Sequence, residues 1–245
     1  MLPRLLDLEL LDSLSKAVDY NDLDHTATNQ AFVGDLLAAG EFQGEILDLG
    51  TGTAQIPIEL VRRHSDCYVM AVDRSISMLD IARYNVDIAM VTDRVQLDHA
   101  DAERLPYEDE RFAAIISNAA VHPLPEPFPA LAEAVRVTEP GGLIFFRDFR
   151  RPEDTAALEH LVQAWAGHES QRQQQRFAEC LCAALTVDEM RQMVQPLGFP
   201  GESVKATDDL FWTWTARKTR IEPTSDSNPQ ETGNMERIID DEPRL

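Results

Sequence analysis

The chain has 245 residues, 44% of them hydrophobic, and a formal net charge of -21. That length suits one large domain or a domain with an added cap, and that hydrophobic content fills a core. The acidity argues against a protein held to nucleic acid by a basic surface, and no apolar run reaches the length of a membrane span.

The first residues, Met1-Leu2-Pro3-Arg4, lead into Asp7 and Glu9 without a signal-peptide core, so a reducing cytoplasm is the expected location. Leu5, Leu6, Leu8, Leu11, Leu14 and Val18 form an imperfect helical stripe over 5–18. A polar, turn-like stretch through Tyr20 and His25 follows. Helix resumes from Asn29 to Leu37 and stops at Gly40.

Ile46-Leu47-Asp48-Leu49-Gly50-Thr51-Gly52-Thr53-Ala54 reads as a buried strand, a glycine turn and a helix start. Gly50 and Gly52 permit positive φ and close approach of a ligand to the backbone. A helix beginning here turns its unpaired N–H groups toward that ligand. A dinucleotide fingerprint needs a third glycine at position 55, and Gln55 stands there. Asp48 lies two residues before the first glycine. An acid suits a pyrophosphate poorly and a cationic, ammonium-bearing ligand well.

The helix 54–63 tolerates Pro57 in its first turn. The strand Tyr68–Val72 ends at Asp73, at the distance from the glycine turn where nucleotide folds place a ribose-hydroxyl acceptor. A carboxylate accepts both hydrogens of a cis-diol; Asp73 equally suits capping of the next helix, as does Ser75. Helix 76–91 turns Met78, Leu79, Ala82, Val86 and Met90 inward. Strands follow at 94–99 and 112–117, and the segment Asp101-Ala102-Glu103-Arg104-Leu105-Pro106 lies between them. The second of these strands ends at Ser117-Asn118, followed by Ala119-Ala120-Val121-His122. Ligands in open α/β sheets sit at such carboxyl ends.

Helix 130–137, the turn Pro140-Gly141-Gly142 and the strand 143–146 come next. Arg147 leaves that strand toward the substrate side. It either pairs with Asp148 or meets a carboxylate or phosphate on the substrate, and with Arg150 and Arg151 it makes a candidate basic patch. Helix is expected over 153–177 with a break at Gly167, and Gln171–Arg176 is expected to be exposed. Thr186-Val187-Asp188-Glu189 opens another helix as a capping box. Residues 203–206 and 210–215 form a hairpin-like pair in which Trp212 and Trp214 share one face, for packing or for stacking on a substrate. Cys67, Cys180 and Cys182 offer neither a disulfide framework nor zinc spacing, so they are expected to pack and no metal is expected. Residues 219–245 read as a disordered acidic tail. The body keeps most of the negative charge, and with lysine so rare (Lys16, Lys205, Lys218) it suits a salty cytoplasm.

The order acid-x-Gly-x-Gly at Asp48–Gly52, acid at Asp73, Asp101-Ala102 and then Pro-Gly-Gly at 140–142 resembles the class I S-adenosylmethionine-dependent methyltransferases of the small-molecule type. One departure is Ala54, where that family commonly has a third glycine. The resemblance implies an α/β, doubly wound, mostly parallel seven-stranded sheet of Rossmann-like form. Its last strand is antiparallel and an N-terminal helical lid (1–40) precedes the catalytic domain (41–218). It implies S-adenosylmethionine as cofactor, with Asp48, Gly50, Thr51 and Gly52 near the methionine end. Asp73 and Arg74 would lie by the ribose, Met78, Asp101 and Ala102 by the adenine, and Asn118 beside the methyl-transfer position. Tyr20, His25 and Asn29 are candidates for the lid, and Tyr20 and His25, with Arg147, are candidates for acceptor contact. His122 either acts as a base or shapes the pocket. The implied reaction is methyl transfer to a small-molecule acceptor, with no nucleic-acid partner. A non-catalytic cofactor-binding protein, and less so an NAD-type dehydrogenase, are the alternatives.

Overall fold

Sequence alternation dictates a three-layer arrangement. The computed structural model describes residues 2–6, 14–21 and 23–219; the expected tail from 220 onward and residues 7–13 of the first helical stripe lie outside them. Helices α1 (Leu14–Asn21) and α2 (Thr26–Ala38) precede strand β1 (Gly44–Leu49). Then come α3 (Gln55–Arg63), β2 (Cys67–Asp73), α4 (Ile76–Ala89), β3 (Val95–His99), β4 (Phe112–Asn118), α5 (Pro127–Val137) and β5 (Thr138–Phe149). Helices α6 (Thr155–Ala166), α7 (Gln171–Ala183) and α8 (Val187–Val194) lead to β6 (Val204–Ala206) and β7 (Phe211–Arg217). Among the described residues no helix is long and apolar enough to cross a membrane.

The seven strands form one sheet in the order β3-β2-β1-β4-β5-β7-β6, with β7 antiparallel to both neighbours and the first five parallel. Strand order reverses between β1 and β4, which creates a crevice at their carboxyl ends. Asp48 and Asn118 lie at that crevice.

Successive side chains on a strand face opposite layers. Ile46 joins the cluster with Phe32 and Leu36 of α2, whereas Leu47 joins the opposite cluster with Leu131 of α5 and Met190 of α8. On β5, Phe145 belongs to the first layer, and Ile144 and Phe146 belong to the second. Trp212 and Trp214 are both 0% exposed in the second layer, so they pack.

Three expectations change in detail. Pro140-Gly141-Gly142 does not precede β5 but lies within its span, where pairing with β4 jumps from Phe112↔Thr138 to Ala114↔Leu143. A side chain at Gly142 would meet Thr138 Cγ2 at 2.7 Å and the Glu139 carbonyl at 2.9 Å, so the irregularity demands glycine. The break expected at Gly167 divides 153–177 into two helices as read, but the second runs on past 177 to Ala183, opening at Gln171 behind a Ser170/Gln173 capping box. Ala54 is not yet helical: it holds φ 60 as the N-cap of α3. That is the left-handed region where glycine is commoner, so alanine stores about 1 kcal/mol of strain there.

Candidate functional site

The turn after β1 is built by its own backbone. The N–H groups of Gly50 and Thr51 both donate to the Val72 carbonyl at 2.9 Å, and the Gly52 N–H donates to Asp73 Oδ2 at 2.8 Å. These donors are therefore spent on the end of β2 and not on a ligand. Gly50 holds φ +70, and a Cβ there would fall 2.3 Å from the Ala120 Cβ in the loop after β4. Gly50→Ala is accordingly expected to destabilise the protein by about 2 kcal/mol or more, read as a lowered midpoint in thermal unfolding.

The cleft above this turn is lined by Tyr20, His25, Asn29, Asp48, Gly50, Thr51, Thr53, Gln55, Ile56 and Asn118. Three buried polar atoms in it have no hydrogen-bond partner, Asp48 Oδ2, Asn118 Oδ1 and His25 Nε2, and the Thr51 hydroxyl lies beside the Asp48 carboxyl. Native proteins satisfy almost all such atoms, so this cluster marks a polar ligand's place. Its oxygens include a carboxylate and a side-chain amide, which suit a ligand carrying N–H donors and positive charge. Burial pushes the Asp48 carboxyl up to about 7; Thr51 holds it back and Asp73 adds to the rise. A cation placed beside Asp48 would relieve that desolvation.

Asp73 flanks the turn. Its Oδ2 takes the Gly52 N–H, and its Oδ1 takes the Ser75 N–H at 2.8 Å. The α4 cap falls to Ser75, whose hydroxyl accepts from the Met78 N–H. The two carboxylate oxygens offer about four lone-pair sites, so acceptor capacity remains for a diol. Burial raises the Asp73 pKa, against the backbone N–H groups of Ser75, Gly52 and Arg74 and the Arg74 charge. Met78 is buried in the first turn of α4, and Arg74 is exposed, with its carbonyl joined to the His99 ring at 3.0 Å. Asp101 is exposed and closes a local turn by accepting the Glu103 N–H; Ala102 follows in the same loop. Neither Asp101, Ala102, Met78 nor Arg74 lines the Asp48 cleft.

The lid residues meet the cleft from α1 and the start of α2. The Tyr20 and His25 rings lie 4.7 Å apart. Asn85 of α4 ties α1 to the turn, donating to Asn21 Oδ1 and to the Thr53 carbonyl, each at 2.9 Å.

A second polar group stands beyond Asn118. Asp148, 0% exposed, accepts from the backbone N–H groups of Val121 and His122 and from His122 Nδ1 at 2.8 Å. Burial disfavours a charged His122, but the adjacent Asp148 carboxylate outweighs it, and with a Cys180 contact it pushes the imidazole up to about 10. The Asp148 carboxylate thus favours the protonated ring, which weighs toward the pocket-shaping reading of His122 over that of a free base.

Arg147 is corrected. It pairs with Asp35 of α2 at 2.6 Å and donates to Thr213, with its own side chain 6% exposed. Strand alternation sends Arg147 to the α2 layer and Asp148 to the opposite one, so they neither pair with each other nor leave Arg147 for an acceptor. The expected basic patch dissolves likewise, since Arg151 is buried against Glu189 at 2.5 Å. Among the described residues no cluster of His, Cys, Asp and Glu is placed to hold a metal.

Sequence reasoning missed Thr53, Gln55 and Ile56 as cleft residues, and Asp148 as the partner of His122. It also missed Arg4, which donates to the carbonyls of His122, Leu124, Pro125 and Ala183. The turn's helix-start pattern pointed to the first set; nothing local pointed to the others.

Comparison with known proteins bears on this geometry. Residues 47–146 match a family profile described as a methyltransferase domain. A demethylmenaquinone methyltransferase of Clavibacter sepedonicus is 34% identical over 146 residues, covering 58% of each chain. A 27-O-demethylrifamycin SV methyltransferase of Amycolatopsis mediterranei is 28% identical over 190 residues, covering 76% of this chain and 64% of that one. The chain thus spans about three fifths of the length of these relatives. In structure, a SAM-dependent methyltransferase from Aquifex aeolicus superposes with a TM-score of 0.60 at 16% identity, over 84% of this chain and 98% of that one.

Proposed function

We propose that this chain, a member of the class I S-adenosylmethionine-dependent methyltransferases, transfers the cofactor's methyl group to a small-molecule acceptor. The observation that carries the reading is the set of unpartnered buried atoms around Asp48 at the switch point of the sheet. The names of the relatives specify small acceptors, a demethylmenaquinone and a 27-O-demethylrifamycin SV. The net charge of -21 supports a substrate other than nucleic acid, and a cytoplasmic location fits the free cysteines.

Bound S-adenosylmethionine supplies an already activated sulfonium methyl, so the protein's task is to position donor and acceptor and exclude water. Asp48 and Asn118 hold the amino-acid end through the oxygens left without partners. Asp73 takes the ribose hydroxyls with its remaining lone pairs, and Asp101 with Ala102 receives the adenine. Tyr20 and His25 cover the cleft. An acceptor hydroxyl that has already lost its proton to bulk water would be held as its anion by the His122 ring, which Asp148 keeps in place and favours in its protonated form. Incubation with labelled S-adenosylmethionine and a panel of phenols, enols and quinols tests this. Acceptor-dependent release of S-adenosylhomocysteine is expected; turnover on none of them, despite cofactor binding, would leave the chain a cofactor-binding protein only.

A pH dependence accompanies the Asp48 assignment. The free carboxyl titrates near 7, and the bound cation requires it ionised, so binding lowers its pKa and releases a proton. Affinity for the cofactor is expected to fall about tenfold between about pH 8 and about pH 6. Titrations in buffers of different ionisation enthalpy report the proton release, and Asp48→Asn should abolish both effects.

A further inference from the structure

Asn85 has no part in the methyl-transfer roles above, yet its side-chain amide spans two elements of the cleft. From α4 its Nδ2 donates to the Thr53 carbonyl of the glycine turn and to Asn21 Oδ1 at the end of α1, each at 2.9 Å. A side-chain amide carries two N–H donors, and both are spent here. The Thr53 carbonyl can only accept, so it fixes which end of the Asn85 amide faces the turn. Asn85 is half-buried, and Thr53 is buried.

The bond to Asn21 holds down its neighbour, Tyr20. Tyr20 Cε1 lies 3.8 Å from where a Cβ on Gly52 would stand. Gly52 has φ +55 and no side chain, so the turn leaves its backbone open to close approach. The ring of the lid takes that approach itself. The same ring lies 4.7 Å from that of His25, which joins the end of α1 to the start of α2. The free space left in the cleft is about 20 Å³, room for about one water. Sites for ligands of cofactor size enclose about 300–1,000 Å³. The amino-acid end of the cofactor and the closed lid therefore compete for one place.

We propose that the Asn85–Asn21 bond is a latch that holds the α1 lid on the glycine turn and excludes the cofactor until it breaks. The inference rests on S-adenosylmethionine being the ligand of this cleft. Latched and open lids are in equilibrium and only the open one binds, so apparent affinity scales with the open fraction. Loss of one hydrogen bond of ordinary net strength raises that fraction about fivefold. The sign separates a latch from a support. Removing a residue that supports the site weakens binding, whereas removing the latch tightens it.

Asn21→Ala removes the acceptor on α1 and leaves the bond between Asn85 and Thr53 in place. The probe is S-adenosylhomocysteine, followed by stopped-flow and calorimetric titration of the full chain. Asn21→Ala is expected to bind it about fivefold more tightly, through faster association at an unchanged dissociation rate. Without cofactor, hydrogen exchange of the α1 amides is expected to quicken by about the same factor. Asn85→Ala, which loses both bonds, should move exchange and association the same way, and it carries the test should Asn21→Ala fail to fold. Equal or weaker binding by Asn21→Ala, with the probe bound by wild type, would overturn the latch. So would unchanged α1 exchange, whether or not the probe binds. Binding by none of the proteins would sink the cofactor reading and the exclusion with it, while quickened exchange would still show the bond holding the lid.

Discussion

Replacing Asp148 with alanine is expected to destabilise the protein by about 3–5 kcal/mol, the range for removing one partner of a buried charge pair. Asp148 Oδ2 takes the Val121 and His122 N–H groups at 2.7 and 2.9 Å, and Oδ1 takes His122 Nδ1 at 2.8 Å and the Phe149 N–H at 2.6 Å. Alanine removes the carboxylate that favours the charged ring and orphans backbone donors in the loop that follows Asn118. The effect depends on pH with a definite sign. The folded pKa of His122 is raised to about 10 from an ordinary value of 6.5. Its contribution is therefore complete below the unfolded value and is lost as pH rises through about 10. Urea denaturation of wild type and Asp148→Ala should show a wide gap at neutral pH and a narrower one above pH 10. A gap below about 1 kcal/mol at neutral pH would remove the charged pair from the account.

The second large effect is on the cofactor. Asp73→Ala is expected to weaken S-adenosylmethionine binding by more than about tenfold, since both ribose hydroxyls lose their acceptor. Asp73 also accepts the Gly52 and Ser75 N–H groups. The same substitution should therefore lower the unfolding midpoint, by about 1–3 kcal/mol of stability. Asp73→Asn separates the two roles, because its amide oxygen can still take one backbone donor. Calorimetric affinity and thermal unfolding, measured together on both variants, check this. Unchanged affinity in Asp73→Ala would confine Asp73 to holding the turn.

Much of the cleft was legible because its residues are local in sequence. Asp48, Gly50 and Gly52 share one turn, and the end of each parallel strand can be read from its apolar run. Asp73 and Asn118 follow from the rule that ligands gather at carboxyl ends. The polar groups beyond Asn118 were not legible, because they are assembled by distant pairings. Arg147 and Asp35 lie 112 positions apart, and His122 and Asp148 lie 26 apart. Period-two alternation along β5 does separate Arg147 from Asp148, and applying it would have withdrawn their expected pairing.

The central claim is that the cleft at Asp48 takes S-adenosylmethionine. Calorimetric titration of the purified chain with S-adenosylhomocysteine, with NAD as the control, tests it most directly. Micromolar binding of the first and no heat from the second is the expected result. Binding of NAD, or no binding of S-adenosylhomocysteine, would contradict it.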